Sequence, residues 1–169
     1  MASNELLVKR DSGIVVATLN RPEKMNALNK DMFDALKSLI DVLETDKTAR
    51  VLILTAAGDK AFCVGADLKE RQSMNEKDIT LRMEFVRNLY LRLERLPIPI
   101  IAAINATALG GGLELALTAD LRVAAENVTL GFPEADLAII PGNGGTQRLP
   151  RMIGIQKTME MVLLSRRIS

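Results

Sequence analysis

The chain has no histidine and no tryptophan, and it has only one cysteine, one tyrosine and four phenylalanines. Without histidine, any acid–base chemistry must use carboxylates, lysine, tyrosine or the single thiol. One cysteine excludes an intrachain disulfide and favours a reducing, intracellular setting. Cys63 itself has no imidazole to activate it, so a small buried hydrophobe is the favoured interpretation. With so few aromatic residues, the core must be built from aliphatic side chains and methionine.

The chain also lacks an excess of charge and a long apolar run. It has 22 Lys+Arg against 21 Asp+Glu, which argues against nucleic acid or a membrane surface held by bulk electrostatics. No apolar run approaches the roughly 18 residues of a membrane helix. Residues 1–5 lack the basic start and apolar segment of a secretory signal. We therefore expect a cytoplasmic protein with no membrane or nucleic-acid partner, folded as a single domain over residues 1–169.

Strand patterns alternate with helical patterns, which predicts an α/β fold with parallel strands. The chain begins with a predicted hairpin and continues with a helix that Asn29 caps. Residues 51–55 and 98–105 read as strands buried on both faces. The tail, residues 147–164, reads as helical with a kink at Pro150. The remaining predicted elements are a helix at 76–96, a helix at 111–118, and short strands at 121–125 and 129–131.

A run of three glycines, Gly110 to Gly112, lies between a predicted strand and a predicted helix and is followed by Glu114. Glycines at such a turn let a ligand approach the backbone, and the helix start offers free N–H groups to an oxyanion. From the glycines alone, a tight turn that helps the helix and strand to pack is the favoured explanation. Phosphate binding is disfavoured because the lysine and Ser/Thr of a P-loop are missing, and the later glycines at 142–145 do not match the dinucleotide fingerprint.

Glu134 follows a glycine and precedes the apolar residues 137–140. It is either a solvated loop carboxylate or a partly desolvated one, whose raised pKa would suit proton transfer. Residues 65–67 form a further short turn after a strand. That turn is either a plain connection or the source of a second oxyanion donor, the N–H of Ala66. No cluster of residues has metal-ligand spacing, so no metal is predicted.

Four segments in order resemble the crotonase (enoyl-CoA hydratase/isomerase) superfamily, and the resemblance runs from the hairpin to the last residue. These segments are residues 61–70, 108–114, 131–134 and 140–149. Residues 108–122 are particularly similar to the methylglutaconyl-CoA hydratase branch. The resemblance implies a crotonase-like (ClpP/crotonase) ββα spiral core with parallel sheets and flanking helices.

The resemblance also implies a set of site residues. The N–H groups of Ala66 and Gly111 would hold the thioester carbonyl of an acyl-CoA. Glu114 would be the base that activates a water molecule, and Glu134 would deliver a proton to the α-carbon. Gly142 would help to orient the second glutamate, and Asn143, where the family commonly has a small residue, is expected to matter little. The residues implied for substrate or CoA binding are Lys24, Ala66, Asp67, Leu68, Lys69, Gly111 and Gly142.

Two glutamates favour a hydratase that converts a trans-2-enoyl-CoA to a 3-hydroxyacyl-CoA in fatty-acid or branched-chain amino-acid breakdown. An enoyl-CoA isomerase or an impaired acyl-CoA-binding fragment is the alternative. No cofactor is implied, since coenzyme A is part of the substrate. One branch is linked to RNA binding through a lysine-rich first helix, but here Asp31, Asp34 and Asp41 offset the lysines of that helix, which disfavours RNA.

Family members continue beyond the position of Ser169. The resemblance therefore predicts a C-terminally truncated chain without the helical region that covers the site and supports assembly. The family implies a homo-oligomer, a trimer or a dimer of trimers, which the shorter chain would compromise. We expect weak or absent activity from this chain alone, and apolar surface left exposed on its core.

Overall fold

The computed structural model describes residues 4–169. Its strands are β1 (Leu6–Asp11), β2 (Ile14–Leu19), β3 (Val51–Ala56), β4 (Ala61–Cys63), β5 (Ile100–Ile104), β6 (Thr107–Leu109), β7 (Leu121–Ala124), β8 (Leu130–Gly131) and β9 (Arg167–Ile168). Its helices are α1 (Lys30–Leu43), α2 (Leu68–Gln72), α3 (Glu76–Glu94), α4 (Gly111–Ala116), α5 (Gly145–Ile153) and α6 (Ile155–Leu163), with 3₁₀ turns at Pro22–Lys24 and Pro133–Leu137. Strands and helices alternate along the chain, as the sequence predicts.

The larger sheet has the strand order β1-β2-β3-β5-β7. The predicted hairpin is confirmed, since β1 and β2 pair antiparallel, whereas β2, β3, β5 and β7 run parallel. The prediction that the central strands are buried on both faces is wrong. Leu52 and Leu54 of β3 are fully buried, but Ile53 between them is only partly buried. Helices therefore cover one face of these strands, and the pleat sends alternate side chains to the other.

Helix α1 supplies much of that cover. Asn29 is its N-cap, and the Asn29 side chain accepts a hydrogen bond from the N–H of Met32, as predicted. Apolar side chains recur every three or four residues and lie in the core. They are Met32, Phe33, Leu36, Leu39, Ile40 and Leu43.

The smaller sheet, in the order β4-β6-β8-β9, positions the site. Strands β4, β6 and β8 are parallel, with Cys63 opposite Ala108 and Leu109 opposite Gly131. Their carboxyl ends therefore lie at one edge of the sheet. The three segments that follow them, residues 64–67, 110–114 and 132–134, are thereby brought together although they are far apart in sequence.

The end of the chain differs from the sequence prediction. The helical tail is interrupted at Gly154, between α5 and α6, and not at Pro150, which lies inside α5. Gly154 has a φ of +86°, a conformation that only glycine adopts at low cost. The tail then forms β9, a strand that the sequence pattern did not predict, antiparallel to β8. Within residues 4–169, no helix combines the length and apolar character needed to cross a membrane.

Candidate active site

A cavity of about 860 Å³ lies at the carboxyl edge of the smaller sheet. The three segments that follow β4, β6 and β8 form its floor, and the 3₁₀ turn at Pro22–Lys24 contributes to its rim. Every residue that the sequence assigned to the site lines this one cavity. These residues are Lys24, Ala66, Asp67, Leu68, Lys69, Gly111, Glu114, Glu134 and Gly142.

Two backbone N–H groups provide the candidate oxyanion hole. Gly65 and Gly111 pack so closely that a Cβ added to Gly65 would lie 3.1 Å from the nitrogen of Gly111. Within residues 4–169, the N–H groups of Ala66 and Gly111 have no protein acceptor. Gly111 is the first residue of α4, where a helix leaves its N–H groups unpaired. Both donors are therefore available to an oxygen atom in the cavity.

Glu114, in the first turn of α4, is 1% exposed and well provided with hydrogen-bond donors. Its Oε1 accepts from the N–H of Asn143 at 2.7 Å and of Gly145 at 2.9 Å, and its Oε2 accepts from Nδ2 of Asn143 at 3.1 Å. Burial raises the pKa of Glu114, and the donors of Gly145 and Asn143 oppose that rise because they favour the ionised form. The carboxylate is held in one orientation.

Glu134, at the start of the 3₁₀ turn Pro133–Leu137, is 9% exposed but has a different setting. Its Oε2 is buried without a hydrogen-bond partner among the described residues. Burial and, to a smaller extent, the nearby negative charge of Glu114 raise the pKa of Glu134 to about 7, while the backbone N–H of Glu134 opposes the rise. A Cβ added to Gly110 would lie 2.8 Å from Oε1 of Glu134. The carboxyl group of Glu134 is therefore adjacent to the glycine turn that supplies an oxyanion donor.

The pairing of these two settings separates the roles of the carboxylates. Burial raises the pKa of both groups, but three hydrogen-bond donors oppose that rise at Glu114, whereas Oε2 of Glu134 has no hydrogen-bond partner among the described residues. Two carboxyl groups with different hydrogen-bonding surroundings on one cavity are suited to act as base and acid in one reaction. The arrangement can take a proton at Glu114, give one at Glu134, and stabilise an oxyanion between the N–H groups of Ala66 and Gly111.

The loop at residues 142–145 behaves differently from the sequence prediction. Gly142 lines the cavity, but the hydrogen bonds of the loop go to Glu114 and not to the second glutamate. Asn143, which was expected to matter little, supplies two of the three donors to Glu114. Asn143 stands where the family commonly has a small residue, and this departure is the sequence signal that bears on its role. A local sequence pattern does not show which side chain Asn143 contacts.

Two other positions have structural roles at the cavity. Asp67 is the N-cap of α2 and accepts from the N–H of Lys69 at 3.1 Å, and its Oδ2 lies 3.2 Å from Arg21. Tyr90 of α3 is buried and donates a hydrogen bond of 2.9 Å from its hydroxyl to the carbonyl of Gly111. Burial raises the Tyr90 pKa well above its ordinary value, so this hydroxyl stays protonated and fixes the start of α4.

Cys63 is fully buried, and its Sγ accepts from the N–H of Gly65 at 3.4 Å. Burial raises the pKa of its thiol to about 12, so the group is a neutral thiol and a poor nucleophile. This confirms the interpretation of Cys63 as a small buried hydrophobe. Among residues 4–169 there is no group of three or more Cys, Asp or Glu side chains placed to hold a metal ion.

Comparison with known proteins agrees with this geometry. The family described as enoyl-CoA hydratase/isomerase matches residues 9–169. YngF of Bacillus subtilis, which is named for the same enzyme class, is 47% identical over 169 residues, covering 100% of this chain and 65% of YngF. The mitochondrial methylglutaconyl-CoA hydratase of Mus musculus is 44% identical over 160 residues, covering 95% of this chain and 51% of that protein.

A crystal structure of an enoyl-CoA hydratase from Bacillus anthracis shares the fold with a TM-score of 0.95 and 46% identity, covering 98% of this chain and 65% of that one. The chain thus spans between about half and two thirds of the length of these relatives. The α/β fold with parallel sheets and flanking helices is the one that the sequence resemblance implied. The chain belongs to the enoyl-CoA hydratase/isomerase, or crotonase, family.

Proposed function

We propose that this chain carries the catalytic centre of an enoyl-CoA hydratase, which adds water across the double bond of a trans-2-enoyl thioester. The observation that supports it best is the presence of two buried carboxyl groups, Glu114 and Glu134, on the cavity that also holds two free N–H groups. Addition of water needs a base for the water, an acid for the α-carbon and a site for the developing enolate oxygen. One cavity contains a group suited to each task.

In the proposed reaction, the ionised Glu114 takes a proton from water as the water oxygen bonds to the β-carbon of the substrate. The electron pair of the double bond moves toward the thioester, and the N–H groups of Ala66 and Gly111 stabilise the negative oxygen. Glu134 then gives its proton to the α-carbon. The proton on Glu114 returns to Glu134 through water, which completes the cycle.

We propose a coenzyme A thioester as the substrate. The cavity has apolar walls that include Leu137 and Ile140, as an acyl chain requires, and exposed Lys24 lies among its rim residues. We propose that this lysine pairs with the phosphates of the coenzyme. RNA as a ligand has less support, because Lys30 and Lys37 of α1 form ion pairs with Asp34 and Asp41.

The test is hydration of crotonyl-CoA, followed by loss of enoyl-thioester absorbance in single turnovers with protein in excess. Glu114→Gln and Glu134→Gln keep the size of each side chain and remove its proton chemistry. Each is expected to lower the rate by about 10²–10⁴-fold. Glu84→Gln, which changes an exposed glutamate of α3, serves as the matched control.

The same variants separate the hydratase from the isomerase of the family. An isomerase moves a proton between carbons and adds no water. If Glu114→Gln retained the full rate, or if the product were a shifted double bond and not a 3-hydroxyacyl thioester, the hydratase proposal would be wrong.

A further inference from the structure

Asn143 contributes a side-chain hydrogen bond to Glu114 that a smaller residue at this position could not make. We propose that Asn143 is a positioning residue, whose backbone N–H and side-chain amide together favour the ionised form of Glu114 and hold its carboxylate in one orientation. This inference rests on the proposed hydratase function and assigns a further residue to the same site.

The hydrogen-bond chemistry fixes which atoms face each other. A carboxylate only accepts hydrogen bonds, so the NH₂ group of Asn143, and not its carbonyl, must face Oε2 of Glu114. That bond is 3.1 Å long, and the backbone N–H of Asn143 lies 2.7 Å from Oε1. The same residue therefore holds both oxygens of the carboxylate. An alanine or a glycine would supply the backbone bond alone.

A frame of charged groups holds Asn143 in place. Arg148 of α5, 9% exposed, donates from Nη1 to the carbonyl of Asn143 at 2.8 Å and from Nη2 to Glu94 of α3 at 2.8 Å. Gly144 lies against the same guanidinium with a φ of +101°, and a Cβ there would lie 2.0 Å from Nη1. Moving the backbone of Asn143 away from Glu114 would therefore break its hydrogen bond with Arg148.

Among the described residues, the other groups around Glu114 do not donate a hydrogen bond to its Oε2. Arg148 favours the ionised form of Glu114, and the negative charges of Glu114 and Glu134 oppose one another. Tyr90 of α3 and Cys63 of β4 are buried and neutral. Gly145 donates only to Oε1. Within residues 4–169, the side chain of Asn143 is the protein donor to Oε2, so its removal disfavours the ionised base.

The experiment is the pH dependence of the single-turnover hydration rate for Asn143→Ala, Asn143→Asp and the parent chain. Glu114 must be ionised, so a lost donor moves the acidic limb of the profile to higher pH, by about one pH unit for Asn143→Ala. Asn143→Asp keeps the size of the side chain and adds a second negative charge, so it moves that limb at least as far. In Asn143→Ala the alkaline limb, where Glu134 loses its proton while Glu114 is already ionised, stays in place, whereas the added charge of Asn143→Asp moves that limb to higher pH. Gln147→Ala removes an exposed amide from the same segment and leaves both limbs unchanged.

A second readout does not depend on turnover. In protein labelled with ¹³C at the glutamate carboxyl carbons, the Glu114 resonance is the one that Glu114→Gln removes. Its titration midpoint rises in both Asn143 variants and is unchanged in Gln147→Ala if Asn143 acts as proposed. An unchanged midpoint in Asn143→Ala overturns the inference. If the parent chain hydrates no enoyl thioester, the hydratase proposal fails, while the NMR titration still decides the effect of Asn143 on Glu114.

Discussion

Oε2 of Glu134 is a buried polar atom without a hydrogen-bond partner among the described residues. Such an atom costs stability, and proteins retain one chiefly where it has a chemical task. Burial raises the pKa of Glu134 to about 7, with a smaller contribution from the negative charge of Glu114. Glu114, only slightly more buried, has three donors instead. The two carboxyl groups therefore differ in their hydrogen-bond partners, although burial raises the pKa of both.

Replacement of Glu134 by glutamine is expected to stabilise the protein above neutral pH. The folded-state pKa of about 7 is above the ordinary 4.5, so the protonated form is favoured by folding. The contribution of Glu134 to stability is therefore greatest below pH 4.5 and is lost as pH rises through about 7. Glutamine is neutral throughout and removes that decline, which amounts to about 1–2 kcal/mol after allowance for solvent screening. Urea unfolding at pH 5 and pH 8 measures the free energy of unfolding of the parent and of Glu134→Gln.

The increase in the free energy of unfolding that Glu134→Gln produces should be present at pH 8 and small at pH 5. Glu84→Gln, at an exposed position, should show no such difference between the two pH values. A Glu134→Gln protein that is less stable than the parent at pH 8 would show that the folded state favours the ionised carboxylate.

At the residue scale, local pattern identified the glutamates and the glycine turns because each motif lies within a few residues. It missed Asn143, which reaches Glu114 across 29 positions of sequence. A hydrogen bond of that kind depends on how the α5 loop packs against α4, and periodicity carries no information about it. The pattern placed residues at the cavity but did not show which of them touch.

At the scale of elements, Gly112 is the residue at which α4 packs closely against β4. A Cβ at Gly112 would lie 2.2 Å from the carbonyl oxygen of Cys63, and a backbone atom cannot move aside as a side chain does. Gly142 differs, because a Cβ there would meet only Cε of Met83 at 3.4 Å. The two glycines, both in the motifs of the site, thus have unequal tolerance for a methyl group.

Gly112→Ala is therefore expected to lower the free energy of unfolding by about 3 kcal/mol, through overpacking at the start of α4. Gly142→Ala should change it by less than about 0.5 kcal/mol. Chemical denaturation of both variants measures the contrast. Equal effects would show that α4 can move away from β4 without cost.

The elements that the sequence predicted well are those with a long, regular pattern, such as α1 and α3. Shorter elements depend on tertiary context. The 3₁₀ turn that holds Glu134 has five residues, and β9 has two and exists only by pairing with β8. The sequence predicts a kink at Pro150, but α5 includes Pro150 and ends at Ile153, just before Gly154, where a positive φ is available to glycine.

At the scale of the whole molecule, the described structure presents apolar side chains to solvent near its carboxyl-terminal helices. Ile155 is 70% exposed, Met159 is 52% and Leu163 is 60%. These three residues of α6, here called the α6 strip, line a surface groove of about 690 Å³. The formal net charge of the chain is only +1 at pH 7, so electrostatic repulsion does little to keep copies apart. Contiguous exposed apolar surface of this kind favours association.

The double substitution Ile155→Ser and Leu163→Ser is expected to reduce self-association of this chain while leaving its fold intact. Both side chains are already mostly exposed, so little buried apolar area is lost and the unfolding midpoint should change only slightly. Sedimentation velocity over a range of protein concentrations provides the measurement. Val42→Ser, which removes one side chain of α1 that is 52% exposed, controls for surface hydrophobicity outside the α6 strip. If the double variant associates as strongly as Val42→Ser and the parent, contacts other than the α6 strip hold the copies together.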